Sequence, residues 1–283
     1  MEAFATTVPP PIEALPLFPV LDQKLLKLLR SLAPADRQRP TLAGPWTVHD
    51  VAAHLLAGNL QTLSMLRDGY VGESPDNASY AGTVAFLDRL NADWVRATRR
   101  LSPAVLIDWL ARSGTEYAAF LATLDPWAPA AFAVGWAGET ESLNWFHLAR
   151  DYTEKWHHQQ QIWAAVGQTA ALLTPELFGP FIATLLRGLP HAYRHVAPPV
   201  GTRVQISIGP ALGGTWQLVR RVAGWQLEPP GPGPVAARLT LDPDTAWRVF
   251  TKGLSPAEAW VRARVVGDEA LAGAALSLVA VMG

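Results

Sequence analysis

The chain of 283 residues contains no cysteine. Disulfides, cysteine nucleophiles and thiolate metal ligands are excluded together, so any thiol chemistry needs a thiol supplied by a cofactor. Excess charge is missing as well: 23 Lys and Arg stand against 24 Asp and Glu, a net charge of −1. Such a balance argues against a general affinity for nucleic acid or for anionic membranes. Lysine is scarce, with 4 against 19 arginines. Together with much Ala and Pro, this fits GC-rich coding better than a functional bias. Long hydrophobic runs are absent too. The longest apolar stretch, after Asp268, is too short and too rich in Ala and Gly to span a bilayer. The N-terminus, Met-Glu-Ala-Phe-Ala-Thr-Thr-Val, lacks a basic region followed by an apolar core, so it does not read as a signal peptide. A cytoplasmic protein is expected. There is no internal repeat, no Gly-rich phosphate loop after a strand and no nucleophile elbow.

What is present is core-forming material: 49% hydrophobic residues and 12 tryptophans. That is ample for one large or two ordinary domains. The first part of the chain carries helical periodicity. Residues 1–16 are Pro-rich and expected to be loosely ordered. Leu21, Leu25, Leu28, Leu29 and Leu32 then predict a helix ending before Pro34. Thr47 is an N-cap and Asp50 completes a capping-box-like pair, opening a second helix that Gly69 stops. A loop over 72–82 precedes a third helix with Phe86, Leu90 and Trp94 on one side. Ser102-Pro103 starts a further helix, or the kinked continuation of the third. No Pro or Gly interrupts residues 142–166, which predicts one long helix. A short helix over 174–187 follows, with a second over 190–195. After Pro198-Pro199 the pattern turns β-rich, with strands at 203–208, 215–222 and 237–241 and a weaker one at 225–227. Helices follow from Asp242-Pro243 and over 268–281. The expected fold class is therefore α plus α+β: an antiparallel four-helix bundle over 1–196, then a small α+β sheet domain over 197–283.

The chemistry concentrates in Arg150 to Ile162 of the long helix. On a helical wheel His147, Arg150, Asp151, Glu154, His157, His158 and Gln161 share one face. Trp145, Tyr152, Trp156 and Trp163 lie opposite and should be covered. Glu154 and His158 are one turn apart, a spacing that can hold one divalent cation. A solvated polar face is the plainer explanation. Yet that stripe carries histidines, the residue type most used as a metal ligand, and the helix's single lysine, Lys155, lies off it. His157 points about 100° away from His158 on the wheel and is not expected to be a ligand. His54 sits inside the second helix, one turn before Ala57 and Gly58, small residues that would leave room beside an imidazole. A satisfied core histidine is the plainer explanation there. His191 and His195 form another pair four apart, in a setting that favours the surface.

Gly44-Pro45-Trp46-Thr47-Val48-His49-Asp50-Val51-Ala52-Ala53-His54-Leu55 resembles the start of the second helix in the mycothiol-dependent maleylpyruvate isomerase-like proteins, part of the wider DinB-like superfamily of four-helix bundles. The resemblance implies that His54 binds a divalent metal, usually zinc, with nickel an alternative. It implies that Glu154 and His158, in Glu-x-x-x-His, supply the other ligands. Many family members carry an Asp three residues after the last ligand; here Gln161 stands there. The end of the chain, from Val265-Val266-Gly267-Asp268-Glu269-Ala270, is similar to the family's sterol-carrier-protein-like domain. No single substrate-binding arginine is identified among Arg67, Arg150, Arg220 and Arg221.

Two functions follow as expectations. One is a divalent-metal-dependent transferase or isomerase that uses mycothiol or another low-molecular-weight thiol on a small electrophilic substrate. The other is a non-enzymatic binding protein with a structural or vacant metal site and an apolar groove. In either case a monomer or homodimer is expected, without nucleic-acid or membrane partners.

Overall fold

A computed structural model describes residues 10–76 and 79–281. The expected loose tail falls mostly on residues 1–9, outside the described residues, as do two residues of the 72–82 loop. The chain divides into two compact units. One comprises 14–131 and 151–172; the other comprises 10–13, 132–150 and 173–281. The expected boundary near Val196 falls inside the second unit.

The first unit is helical. It contains α1 (Leu17–Ser31), α2 (Pro34–Arg37), α3 (Val48–Thr62), α4 (Tyr80–Thr98), α5 (Pro103–Leu121) and the larger part of α6 (Asn144–Ala165). In α1 the buried residues Phe18, Leu21, Leu25, Leu28 and Leu29 follow the helical period of its apolar face. The Thr47 side chain accepts from the Asp50 amide and Asp50 reaches back to the Thr47 amide, so the capping box that opens α3 is complete. A π-helical turn, Leu63–Arg67, extends α3, and Gly69, at φ 69°, turns the chain away. Ser102 caps α5 with Pro103 in its first turn, so α5 is a new helix and not the continuation of α4.

Helix α6 is not an amphipathic surface helix. Tyr152 and Trp156 are fully buried, and Asp151, Lys155, His157, Gln159 and Gln161 on its other sides are buried too. Its polar residues are accommodated by partners far away in sequence. Lys155 donates to both oxygens of Asp22 on α1 at 3.0 and 3.1 Å and lies over the Tyr117 ring. The Tyr117 hydroxyl donates to Asp151 at 2.9 Å. Asn59 on α3 donates to Ser113 on α5. A buried ion pair contributes less to stability than to register, because breaking one partner leaves the other charge stranded. Gly114 on α5 makes this approach feasible: a Cβ there would lie 2.6 Å from an Asp22 oxygen.

The second unit is built on a five-stranded mixed sheet with strand order β3-β2-β1-β4-β5. Its strands are β1 (Arg203–Ile208), β2 (Thr215–Arg221), β3 (Gly224–Glu228), β4 (Ala237–Leu241) and β5 (Arg264–Gly267). The β1–β4 pair is parallel and the other pairs are antiparallel. Alternation puts Val204, Ile206, Leu218, Leu227 and Leu239 on one buried face, against Arg203, Gln205 and Arg238 on the other. Helices α7 (Pro175–Leu186), α8 (Leu189–Ala192), α9 (Pro243–Phe250), α10 (Pro256–Arg262) and α11 (Glu269–Ala274) complete the unit. Tyr193, just after α8, donates to the Leu271 carbonyl and meets the Trp225 ring edge-on, which ties the α7–α8 segment to the sheet.

Three local expectations change. The helix over 268–281 ends at Ala274 and passes through a 3-10 turn into extended chain, whose Ala280 amide bonds the Phe250 carbonyl. The helix over 190–195 is a single turn, Leu189–Ala192. Strand β5 and helix α10 were not expected. β5 is four residues long and mostly exposed, so no burial pattern announces it.

Candidate metal centre

His54 lies in the second turn of α3, one turn beyond the buried Asp50. Arg99 from the end of α4 donates Nε and Nη2 to the two Asp50 oxygens, each at 2.9 Å. Burial opposes ionisation of Asp50, but Arg99 and the Thr47 contacts outweigh it and hold the carboxyl below its usual range. The start of α3 is thus fixed, and Trp94 of α4 donates to the Ala53 carbonyl beside His54. Trp46 packs on the His54 ring at 5.0 Å.

The structure brings His54 and His158 side by side, with ring centroids 4.5 Å apart. His158 Nε2 lies 3.8 Å from a Glu154 oxygen one turn away on α6. His158 Nδ1 is 2.9 Å from Gln161 Oε1. With Gln161 as acceptor, Nδ1 carries the proton and Nε2 keeps its lone pair. Gln161 thereby does the acceptor's part of orienting the ring. The Nδ1 atom of His54 is out of solvent and has no hydrogen-bond partner within bonding geometry among the described residues, Asn91 being the polar side chain nearest in effect on the ring. An imidazole nitrogen in that condition wants a cation or a donor.

His157 departs from expectation. Its ring centroid is 3.9 Å from that of His158, and its Nδ1 is 3.9 Å from Glu154 Oε2. Among the described residues, Glu154, His157 and His158 have ligand atoms within 4.8 Å of one another. The wheel gives directions at Cβ, and two long-reaching rings on adjacent residues can converge beyond it. His157 Nδ1 also lies 2.9 Å from the Thr153 carbonyl, which accepts its proton in that tautomer.

All three rings are held neutral. Burial, then the neighbouring His158, pushes His54 down to about 3, against a hydrogen bond with Asn91. Burial pushes His157 down to about 4, although the Thr153 carbonyl favours its charged form. Burial and then His157 hold His158 well below the usual imidazole range. Neutral imidazoles with one carboxylate are a fitting donor set for a divalent transition metal.

Other candidates are placed differently. Gly58 faces open space, so it makes no room for a close helix contact; its neighbour Ala57 is buried. His195 is exposed and His191 packs against Gly138, and this pair joins no cluster of three donors among the described residues. Arg67 is exposed and occupied by Asp68 and Glu116, and Arg221 by Glu228. Arg220 donates to the Arg221 carbonyl. The approach of the His157 ring to His158 and the acceptor role of Gln161 escaped the sequence reading. Gln161 had one available signal, its place three residues after His158.

Comparison with known proteins gives the fold and the family. Two solved structures superpose on the chain: the mycothiol-dependent maleylpyruvate isomerase, at 14% identity, and a histidine-to-alanine mutant of it, at 15%. Each has a TM-score of 0.52, over 90% of this chain and 93% of theirs, a likeness of fold. No curated protein matches significantly in sequence. Residues 18–163, more than half the chain, match the family described as the mycothiol maleylpyruvate isomerase N-terminal domain. The chain belongs to that family, which is a family of enzymes, as its Trp46-to-His54 motif implied.

Proposed function

We propose that the protein is a divalent-metal-dependent enzyme that uses mycothiol, or another low-molecular-weight thiol, to isomerise or thiolate a small electrophilic substrate. The observation that supports this reading is the packing of the His54 ring 4.5 Å from the His158 ring, whose Nε2 is 3.8 Å from Glu154, with a buried His54 nitrogen that has no hydrogen bond among the described residues; the tightest three-donor group, Glu154, His157 and His158, does not include His54. His54 through Nδ1, His158 through Nε2 and Glu154 through its carboxylate would hold the ion, zinc in the first instance. Three protein ligands suit a catalytic site, which keeps a position open. When bound, such an ion supplies Lewis acidity that favours the thiolate form of an incoming thiol.

The chain's own part is positioning. Gln161 fixes the His158 ring, Thr153 fixes the His157 ring and Trp46 packs against the His54 ring. The nucleophile comes from the cofactor, since the chain has no cysteine. Addition of the thiolate to an activated double bond makes a carbon–sulfur bond and leaves a single bond free to rotate. Expulsion of the thiolate then yields the isomer, and retention with protonation yields the thioether. Among the described residues no helix is long and apolar enough to cross a membrane, which is compatible with a cytoplasmic substrate. The sterol-carrier-protein-like reading of the sheet region rests on its terminal motif and belongs to this proposal.

The test is turnover of zinc-loaded protein with maleylpyruvate and related activated alkenes, with mycothiol, bacillithiol, glutathione or no thiol. Isomerisation or thioether formation with one thiol, and none without it, is the expected result. Equal rates with and without thiol, or no reaction with any of the three, reject the reading and favour a binding protein.

A further inference from the structure

A second site stands apart from the histidines. Within the helical unit a cavity of about 700 Å³ opens beside the first turn of α3, with Arg37, His49, Asp50, Arg99, Leu101 and Pro103 in its lining. This is the size of a small-molecule site. None of the candidate metal ligands lines it.

Its charges are not balanced. Asp50 is the only carboxylate in the lining, and both its oxygens are taken up by the Arg99 fork, one of them also by the Thr47 amide. Arg37, half-buried on α2, has no carboxylate partner among the described residues; its hydrogen bond is to the Leu29 carbonyl at 3.2 Å. The adjacent Asp36 is paired with Arg39 at 2.8 Å. The Nε2 atom of His49 is out of solvent and has no hydrogen-bond partner among the described residues. Two guanidinium groups against one carboxylate leave one positive charge, beside an imidazole able to donate and an apolar border of Leu101 and prolines. A guanidinium matches a carboxylate in shape and charge.

We propose that this cavity binds a small organic carboxylate, its oxygens facing Arg37 and His49 and its short apolar body lying against Leu101 and Pro103. One net charge matches a monoanion, and the apolar border selects an organic acid over inorganic phosphate. The site does not depend on the metal.

Calorimetric titration of the full-length, metal-loaded protein with butyrate and, separately, with inorganic phosphate tests this. Saturable butyrate binding with a Kd of about 1 mM or tighter is expected. Arg37→Gln should weaken it at least tenfold, about the loss of one charge-assisted contact. His49→Phe, a second variant in case the first does not fold, should weaken it by a similar factor. Treatment with a chelator should leave the affinity unchanged. No binding at about 20 mM butyrate, phosphate bound as tightly as butyrate, full affinity in the folded variants, or affinity lost with the metal would each overturn the proposal.

Discussion

Replacing His158 with alanine is expected to lower affinity for zinc by roughly 100-fold or more, while the bundle stays folded. Zinc sites with four ligands carry roughly 10–16 kcal/mol of binding free energy, or about 3 kcal/mol per ligand, and 1.4 kcal/mol is tenfold in affinity. His158 sits between the other two candidate ligands, beside the His54 ring and Glu154. Its loss should therefore harm binding at least as much as loss of either neighbour. The neutral, buried ring loses no ion pair on truncation, so a modest stability change from the small cavity is expected. Competition titration against a chromogenic chelator gives the affinity, and urea denaturation gives the stability. The same titration on His157→Gln separates the neighbouring ring. If His157 is not a ligand, affinity falls by less than for His158→Ala. If the two variants lose equally, His157 belongs among the ligands and the three-residue assignment is wrong.

Acidification is expected to destabilise the metal-free protein steeply. The three rings have folded pKa values lowered below the unfolded value of about 6.5, His54 to about 3 and His157 to about 4. Between those limits the unfolded chain binds more protons than the folded one. Stability is thus fully present above about pH 6.5 and is lost as pH falls toward the folded values. Each unit of separation is worth about 1.4 kcal/mol per group. The rings interact with one another and His54 and His158 keep some exposure, so the sum is discounted to about 3–5 kcal/mol between pH 7 and pH 4.5. Asp50, whose carboxyl is held below its usual range, loses its contribution only at lower pH and does not confuse this window. Urea midpoints of the chelator-treated protein across these pH values provide the measurement. A flat profile would mean that the rings are open to protons, contrary to their burial.

What the sequence made legible was local. The Thr47–Asp50 box, the Ser102-Pro103 start and the i, i+4 spacing of Glu154 and His158 are decided within one turn of chain. The structure bears them out as elements. Three things were not legible. The burial of Asp151 and Lys155 depends on Tyr117 and Asp22, distant in sequence, so a polar stripe that looked solvated is enclosed. The convergence of His157 on His158 depends on ring rotamers, which a wheel of Cα directions does not carry. The grouping of α7 and α8 with the sheet depends on contacts such as Tyr193 to Leu271, and the break at Pro198-Pro199 gives no hint of them. In the first and third cases a non-local partner outweighed the local pattern, and in the second a rotamer did.

The most direct measurement of the central claim is X-ray absorption at the zinc edge of the loaded protein, before and after addition of mycothiol. The chain has no cysteine, so a thiolate sulfur in the metal's shell can come only from the added thiol. The account predicts a shell of nitrogen and oxygen at about 2.0–2.2 Å without thiol, with imidazole scattering from two histidines. It predicts one sulfur at about 2.3 Å once mycothiol is added. A shell that stays entirely nitrogen and oxygen at saturating thiol would contradict it.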